Sequence, residues 1–189
     1  MNTQELLHAL DDLDSQNVWL FTPNMLGGVF TEESSKTLLA SLDRHVKSGI
    51  LKKVKKGLYA NPRAKSTPPR KLEALVPYLR PRAINYVSQE SRLSELGVIS
   101  QIPVEHLTLM TTGRSQTFNT AYGTIEFTHT NRRPKAILEE TVLDENTGLL
   151  QATPERALRD LKRSGRNIDL VNSEIYHELT DRSISMEEV

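Results

Sequence analysis

Between Asn61 and Pro69 the chain reads Asn-Pro-Arg-Ala-Lys-Ser-Thr-Pro-Pro. Proline removes a backbone donor and disfavours helix in the residue before it, so this stretch sustains neither a helix nor a central strand. No apolar period runs through it. The chain on either side must therefore fold as two pieces, each with its own core. The expected division is a first domain at residues 1–61, a linker at 62–69 and a second domain at 70–189.

Within the first piece the periodicities succeed one another in the order helix, helix, helix, hairpin. Leu6, Leu7, Leu10 and Leu13 form one helical stripe. Thr22-Pro23 reads as a cap followed by proline at the first helical position, and Gly27-Gly28 keeps that second helix brief. A longer helix is expected within 31–48, with Leu38, Leu39, Leu42 and Val46 toward the core and Gly49 as its left-handed stop. Two short strands follow, Ile50 to Val54 and Leu58 to Ala60, turning at Lys55-Lys56-Gly57.

The formal net charge is zero, but the charge is segregated. From Lys36 to Lys71 there are eleven basic residues against one acid, Asp43, whereas from Glu139 onward twelve acids face six bases. A concentrated basic block in a neutral chain is a footprint for a polyanion. On the third helix, the face opposite the expected core stripe carries Lys36, Thr37, Ala40, Ser41, Arg44 and Lys47, with Ser34 at its start. Small and basic side chains suit a helix entering the major groove, where hydroxyls and Arg meet base edges and Lys meets phosphate. Lys52, Lys53, Lys55 and Lys56 then line the hairpin, as in a wing lying along the DNA backbone. This predicts a winged helix-turn-helix with DNA contacts from Ser34 through Lys56. The bland reading is a solvated basic helix beside a lysine-protected edge hairpin; order and spacing together favour DNA.

After the linker the pattern is mixed. Leu72, Leu75, Val76 and Leu79 suggest a helix that Pro77 ends or kinks. Ile84 to Val87 reads as a strand, and Ser88 as the cap of a helix over Gln89 to Leu96 stopped by Gly97. His106 to Thr111 and Gly123 to His129 alternate as strands around the turn Thr112-Gly113-Arg114-Ser115. Ala136 to Leu143 and Leu149 to Ala152 are expected to pair as a hairpin, Thr153-Pro154-Glu155 to start a helix, and Glu174 to Thr180 to form a last short one. The fold class is α+β: a winged helix-turn-helix followed by a mixed α+β domain.

The stretches Gly49 to Tyr59, Asn85 to Ile99, Thr111 to Arg114, Gly123 to Phe127 and Thr153 to Asp160, in this order, resemble the AbiEi family, antitoxins of AbiE-type (type IV) toxin–antitoxin systems. The resemblance runs over most of the chain, from the winged helix to about Asp160, and the family's wing cations fall on Lys52, Lys53, Lys55 and Lys56. It implies autoregulation, with the winged helix repressing the operon at promoter inverted repeats. It further implies that the C-terminal domain opposes a nucleotidyltransferase-like toxin without a stable complex, a role tied to abortive infection and phage defence. Many members continue well past the segment matching Thr153–Asp160, which this sequence does not. The alternative is a stand-alone regulator whose second domain senses a ligand or dimerises.

No enzyme is expected. The turn at Thr112–Ser115 offers amides and Arg114 to a phosphate but lacks the glycines and following helix of a P-loop, so an ordinary turn is the simpler reading. Glu126, His129 and His106 have no recognised metal spacing, and Glu139-Glu140, expected on a strand, would point to opposite faces. Trp19 and Phe21 read as core rather than base-stacking residues. Arg132, Arg133 and Lys135 around Pro134 are either a solvated loop or extra nucleic-acid contacts. With no cysteine, no apolar run of membrane length and a polar, acidic start, the chain is expected to be cytoplasmic and to need no cofactor or metal.

Overall fold

The computed structural model describes residues 1–100 and 105–187. It is mixed α+β with two sheets, and the chain divides into a unit of Met1–Lys71 with Thr120–Tyr122 and a unit of Leu72–Asn119 with Gly123–Val189.

In the first unit α1 (Thr3–Ser15) is closed by a capping box, Asn2 and Glu5 each bonding the other's backbone amide. β1 (Leu20–Phe21) leads into α2 (Pro23–Val29), where Thr22 caps and Pro23 takes the first turn. Ser34 caps α3 (Ser35–Lys47) by accepting from Thr37 N. Loss of such a cap costs about 1 kcal/mol. At the far end Gly49 N donates to Val46 O and Ile50 N to His45 O. That Schellman closure puts Gly49 at φ +74°, a conformation glycine adopts without a Cβ penalty. β2 (Lys52–Lys55) and β3 (Leu58–Ala60) form the hairpin, and β1 adds on the other side of β3, giving the order β1-β3-β2. Leu6, Leu10, Phe21, Leu26, Leu38, Leu42, Leu51 and Tyr59 make one buried core.

The proline-rich stretch read as the linker is bonded to α1. Asp14, near the end of α1, accepts from Lys65 N at 2.9 Å, Ser66 N at 3.0 Å and Ser66 Oγ at 2.5 Å. The Ser66 hydroxyl and the two amides hold its carboxyl below the usual carboxylate range.

The second unit opens with α4 (Lys71–Leu79), which runs through Pro77 because Leu72, Leu75 and Val76 anchor its buried face. β4 (Asn85–Val87), α5 (Gln89–Glu95), β5 (His106–Thr111), β6 (Gln116–Thr120) and β7 (Gly123–His129) follow. Then come α6 (Pro134–Leu138), β8 (Thr141–Asp144), β9 (Leu149–Ala152), α7 (Pro154–Ser164), a 3-10 turn (Ile168–Leu170) and α8 (Ser173–Glu187). The six strands lie in the order β6-β7-β5-β4-β9-β8. β5 runs parallel to β7 and β4 parallel to β9, while β4–β5 and β8–β9 are antiparallel. Tyr86, Leu93, Met110, Ile137, Ala157, Leu158 and Leu161 share the core that α5 and α7 cover. Gly123 sits at φ +129°, where a Cβ would come within 2.3 Å of Glu105 O, so only glycine fits.

Two expectations are corrected, and one strand is added to those expected. Ala136–Leu143 is not one strand: Pro134 starts a helical turn, and the strand begins only at Thr141. β6 was not anticipated, because Gln116–Thr120 is an exposed edge strand with almost no apolar alternation. The last helix extends well past Thr180.

Candidate nucleic-acid interface

The basic surface of the first unit is built on α3 and the β2–β3 hairpin. Lys36, Thr37, Ala40, Arg44 and Lys47 are exposed along α3. Ser34 is exposed but engaged, its Oγ lying 3.2 Å from Thr37 N and 2.9 Å from Thr37 Oγ1. Arg44 donates through Nη2 to Met1 O at 3.2 Å and Ser41 Oγ at 3.3 Å, which holds the guanidinium against the helix.

The helix is rotated from its expected setting, and three assignments change. Ser41, expected among the base-reading residues, is buried and accepts from Arg44, so it positions Arg44 instead of facing outward. Leu39, expected in the core, is 46% exposed, and His45 is buried in that role. Asp43 lies on the exposed face, between Leu39 and Lys47 around the helix, so the face is not free of acids. Its carboxylate is 3.5 Å from Lys53 Nζ and ties helix to hairpin. The apolar stripe was ambiguous because Leu38 and Leu39 are adjacent and only one of such a pair can face the core.

His45 shows what the rotation costs. Burial, and next the charge of Arg44, push its imidazole below the ordinary histidine value, and its Nε2 is buried without a partner.

Along the hairpin the four lysines are not equivalent. Lys56 is exposed at the turn, Lys53 is exposed and paired with Asp43, and Lys52 and Lys55 are half-buried. Lys52 Nζ stands 4.3 Å from the Tyr122 ring centroid, a cation–π contact within this unit. The ladder shifts register between Lys53 and Lys55, which bends the hairpin arm. Trp19 is buried and packs on Tyr122 at 5.9 Å, while Phe21 is fully buried; both are core residues.

In the second unit the trio Arg132, Arg133 and Lys135 separates. Arg132 is half-buried, donating to Ala136 O at 2.6 Å and to Glu140 Oε2, and so serves the fold instead of a free loop. Arg133 and Lys135 are exposed, with Lys135 4.0 Å from Glu139. Glu139 ends α6 instead of lying on a strand, and Glu140 gathers Arg132, Arg159 at 2.5 Å and Arg156 at 3.6 Å.

Arg156 also reaches Asp160 at 2.6 Å, and Asp160, only 2% exposed, accepts from Ser88 Oγ at 2.8 Å and Tyr86 OH at 3.1 Å. Burial, and next the Asp160 charge, push the Tyr86 phenol up to about 12, so it remains a donor at neutral pH. His106 and Glu126 lie 3.6 Å apart, with Arg166 2.8 Å from the same carboxylate. His129 bonds Gly113 O and lies beside Asn131, apart from that pair. Among the described residues no three His, Asp or Glu side chains converge as a metal site, and no helix is long and apolar enough to cross a membrane.

The chain matches no protein-family model and no curated protein.

Proposed function

We propose that this protein is a DNA-binding antitoxin: a winged helix-turn-helix in the first unit represses its own operon, and the second unit counters a nucleotidyltransferase-like toxin. The observation that carries the DNA-binding half is the exposed face of α3, with Lys36, Ala40, Arg44 and Lys47, next to a hairpin that presents Lys53 and Lys56. α3 is the helix that would enter the major groove. The hairpin is the wing that would track phosphates, supplying affinity without sequence preference.

The antitoxin half rests on the resemblance to the AbiEi family. Its support here is that segments carrying that resemblance beyond Tyr59 meet inside the second unit: Tyr86 and Ser88 from one bond Asp160 from another, and Thr111 Oγ1 from a third donates to Asn85 Oδ1 at 2.7 Å. Operator inverted repeats are the proposed DNA partner, and the toxin is a functional partner with no stable complex. The proposal places the protein in the cytoplasm.

The test separates the two halves. With the two genes on independent promoters, a chain with Lys52, Lys53, Lys55 and Lys56 replaced by alanine loses promoter repression and still protects cells from toxin. Failure to protect at normal abundance would join the two activities and refute this division of labour.

A further inference from the structure

The turn between β5 and β6 forms one wall of an open cleft of about 420 Å³ lined by Thr112, Gly113, Arg114, Ser115 and His129. No acid lines it. The turn is pinned at its root, where Thr112 N donates to Ile84 O and Ile84 N to Thr112 Oγ1, both at 3.0 Å. It is clamped from the end of β7 as well. His129 N donates to Ser115 Oγ at 2.8 Å, and His129 Nδ1 lies 2.7 Å from Gly113 O, a carbonyl that can only accept. Arg80 Nη2 donates to Arg114 O at 3.0 Å and to Gln116 Oε1 at 2.8 Å, which ties the turn to the start of β6.

These contacts hold the turn but leave its donors available. Among the described residues the amides of Arg114 and Ser115 bond no protein acceptor, and the Arg114 guanidinium is exposed with no acceptor on it. Ser115 Oγ accepts from His129 N and keeps its own proton to donate. Free backbone donors, a hydroxyl and a guanidinium on one pinned loop are a preorganised setting for one tetrahedral oxyanion.

We propose that this turn is a phosphate-binding site on the second unit, taking a single phosphate group. It is independent of the DNA-binding surface of the first unit. The phosphate belongs either to a free small molecule or to the end of a nucleic-acid strand.

Residue-resolved NMR of the full chain tests this, because amides of the two units are read separately. Inorganic phosphate is titrated at constant ionic strength, followed by a dinucleotide with and without a 5′-phosphate. The expected result is saturable shifts at Gly113, Arg114 and Ser115, weakened about tenfold or more by Arg114→Ala, consistent with the loss of a charge-assisted hydrogen bond, and partly restored by Arg114→Lys. A phosphorylated dinucleotide binding more tightly than inorganic phosphate identifies a strand end, and equal affinities identify a free phosphate; both support the site. Shifts that stay linear in phosphate, or that Arg114→Ala leaves unchanged, would overturn it. Arg114 is exposed, so its replacement leaves the core intact.

Discussion

Asp160→Ala removes the acceptor at the centre of the second unit. Asp160 is 2% exposed and takes bonds from Arg156 at 2.6 Å, Ser88 at 2.8 Å and Tyr86 at 3.1 Å. Breaking a buried ion pair from one side costs about 3–5 kcal/mol, because the remaining charge keeps its desolvation penalty. Arg156 retains a second carboxylate, Glu140 at 3.6 Å, which places the loss near the lower end, about 3 kcal/mol. Tyr86→Phe removes one hydroxyl from the same acceptor and should cost about 1 kcal/mol. Urea denaturation followed by far-UV circular dichroism measures both, and the double variant gives the coupling. Because Tyr86 loses its acceptor when Asp160 goes, the two costs should fall short of additive by roughly 0.5–1 kcal/mol. A loss under about 1 kcal/mol for Asp160→Ala, below the range for breaking a buried pair, would refute the argument that this network holds the unit together.

The buried His45 imidazole is held neutral, so the unfolded chain binds its proton more readily than the folded one. Its contribution to stability is complete above about pH 6.5, the ordinary histidine value, and declines as pH falls from there toward the lowered folded value. Trp19 is the single tryptophan and lies in the first unit, so its fluorescence should report an unfolding midpoint that drops below pH 6.5 in the wild type and less steeply in His45→Gln; parallel curves would contradict the assignment. Asp43→Asn removes the carboxylate from the basic face and frees Lys53. It should tighten binding to any duplex a few-fold at low salt, with the gain fading as salt screens it; an unchanged or weaker affinity would take Asp43 out of the interface. Lys56→Ala should reduce the slope of log affinity against log salt by about 0.9, the value for one phosphate contact, on operator and random DNA alike.

What could be read in advance divides by the kind of signal. Caps and stops act through one or two residues, and Thr22-Pro23, Gly49 and Thr153-Pro154 mark helix ends where the structure has them. The α+β character was likewise legible, since His106–Thr111 and Gly123–His129 alternate over whole strands. Rotation about the axis of α3 was not, because Leu38 and Leu39 compete for one buried position and a buried histidine breaks the apolar pattern. That ambiguity moved Ser41 inside and left Asp43 outside. Long-range polar contacts were also hidden: nothing local announces that Asp14 will bond Ser66, or that Glu140 will collect three arginines from two segments. Such pairs depend on elements that come together only in the folded chain.

The absence of cysteine allows a direct test of where DNA lies. Single variants Ala40→Cys on α3, Lys56→Cys at the hairpin turn and Glu145→Cys in the second unit, each exposed, can carry an iron chelate that cleaves nearby DNA. On a duplex spanning the promoter of its own gene, where the proposed function puts inverted repeats, the probe at Ala40 should cut at bases within each half of a repeat. The probe at Lys56 should cut the flanking backbone, and the probe at Glu145 should give at most weak cutting. Focused cleavage from Ala40 would bear out α3 as the helix that enters the groove, whereas uniform cleavage, or cutting from Glu145 as strong as from Ala40, would contradict it.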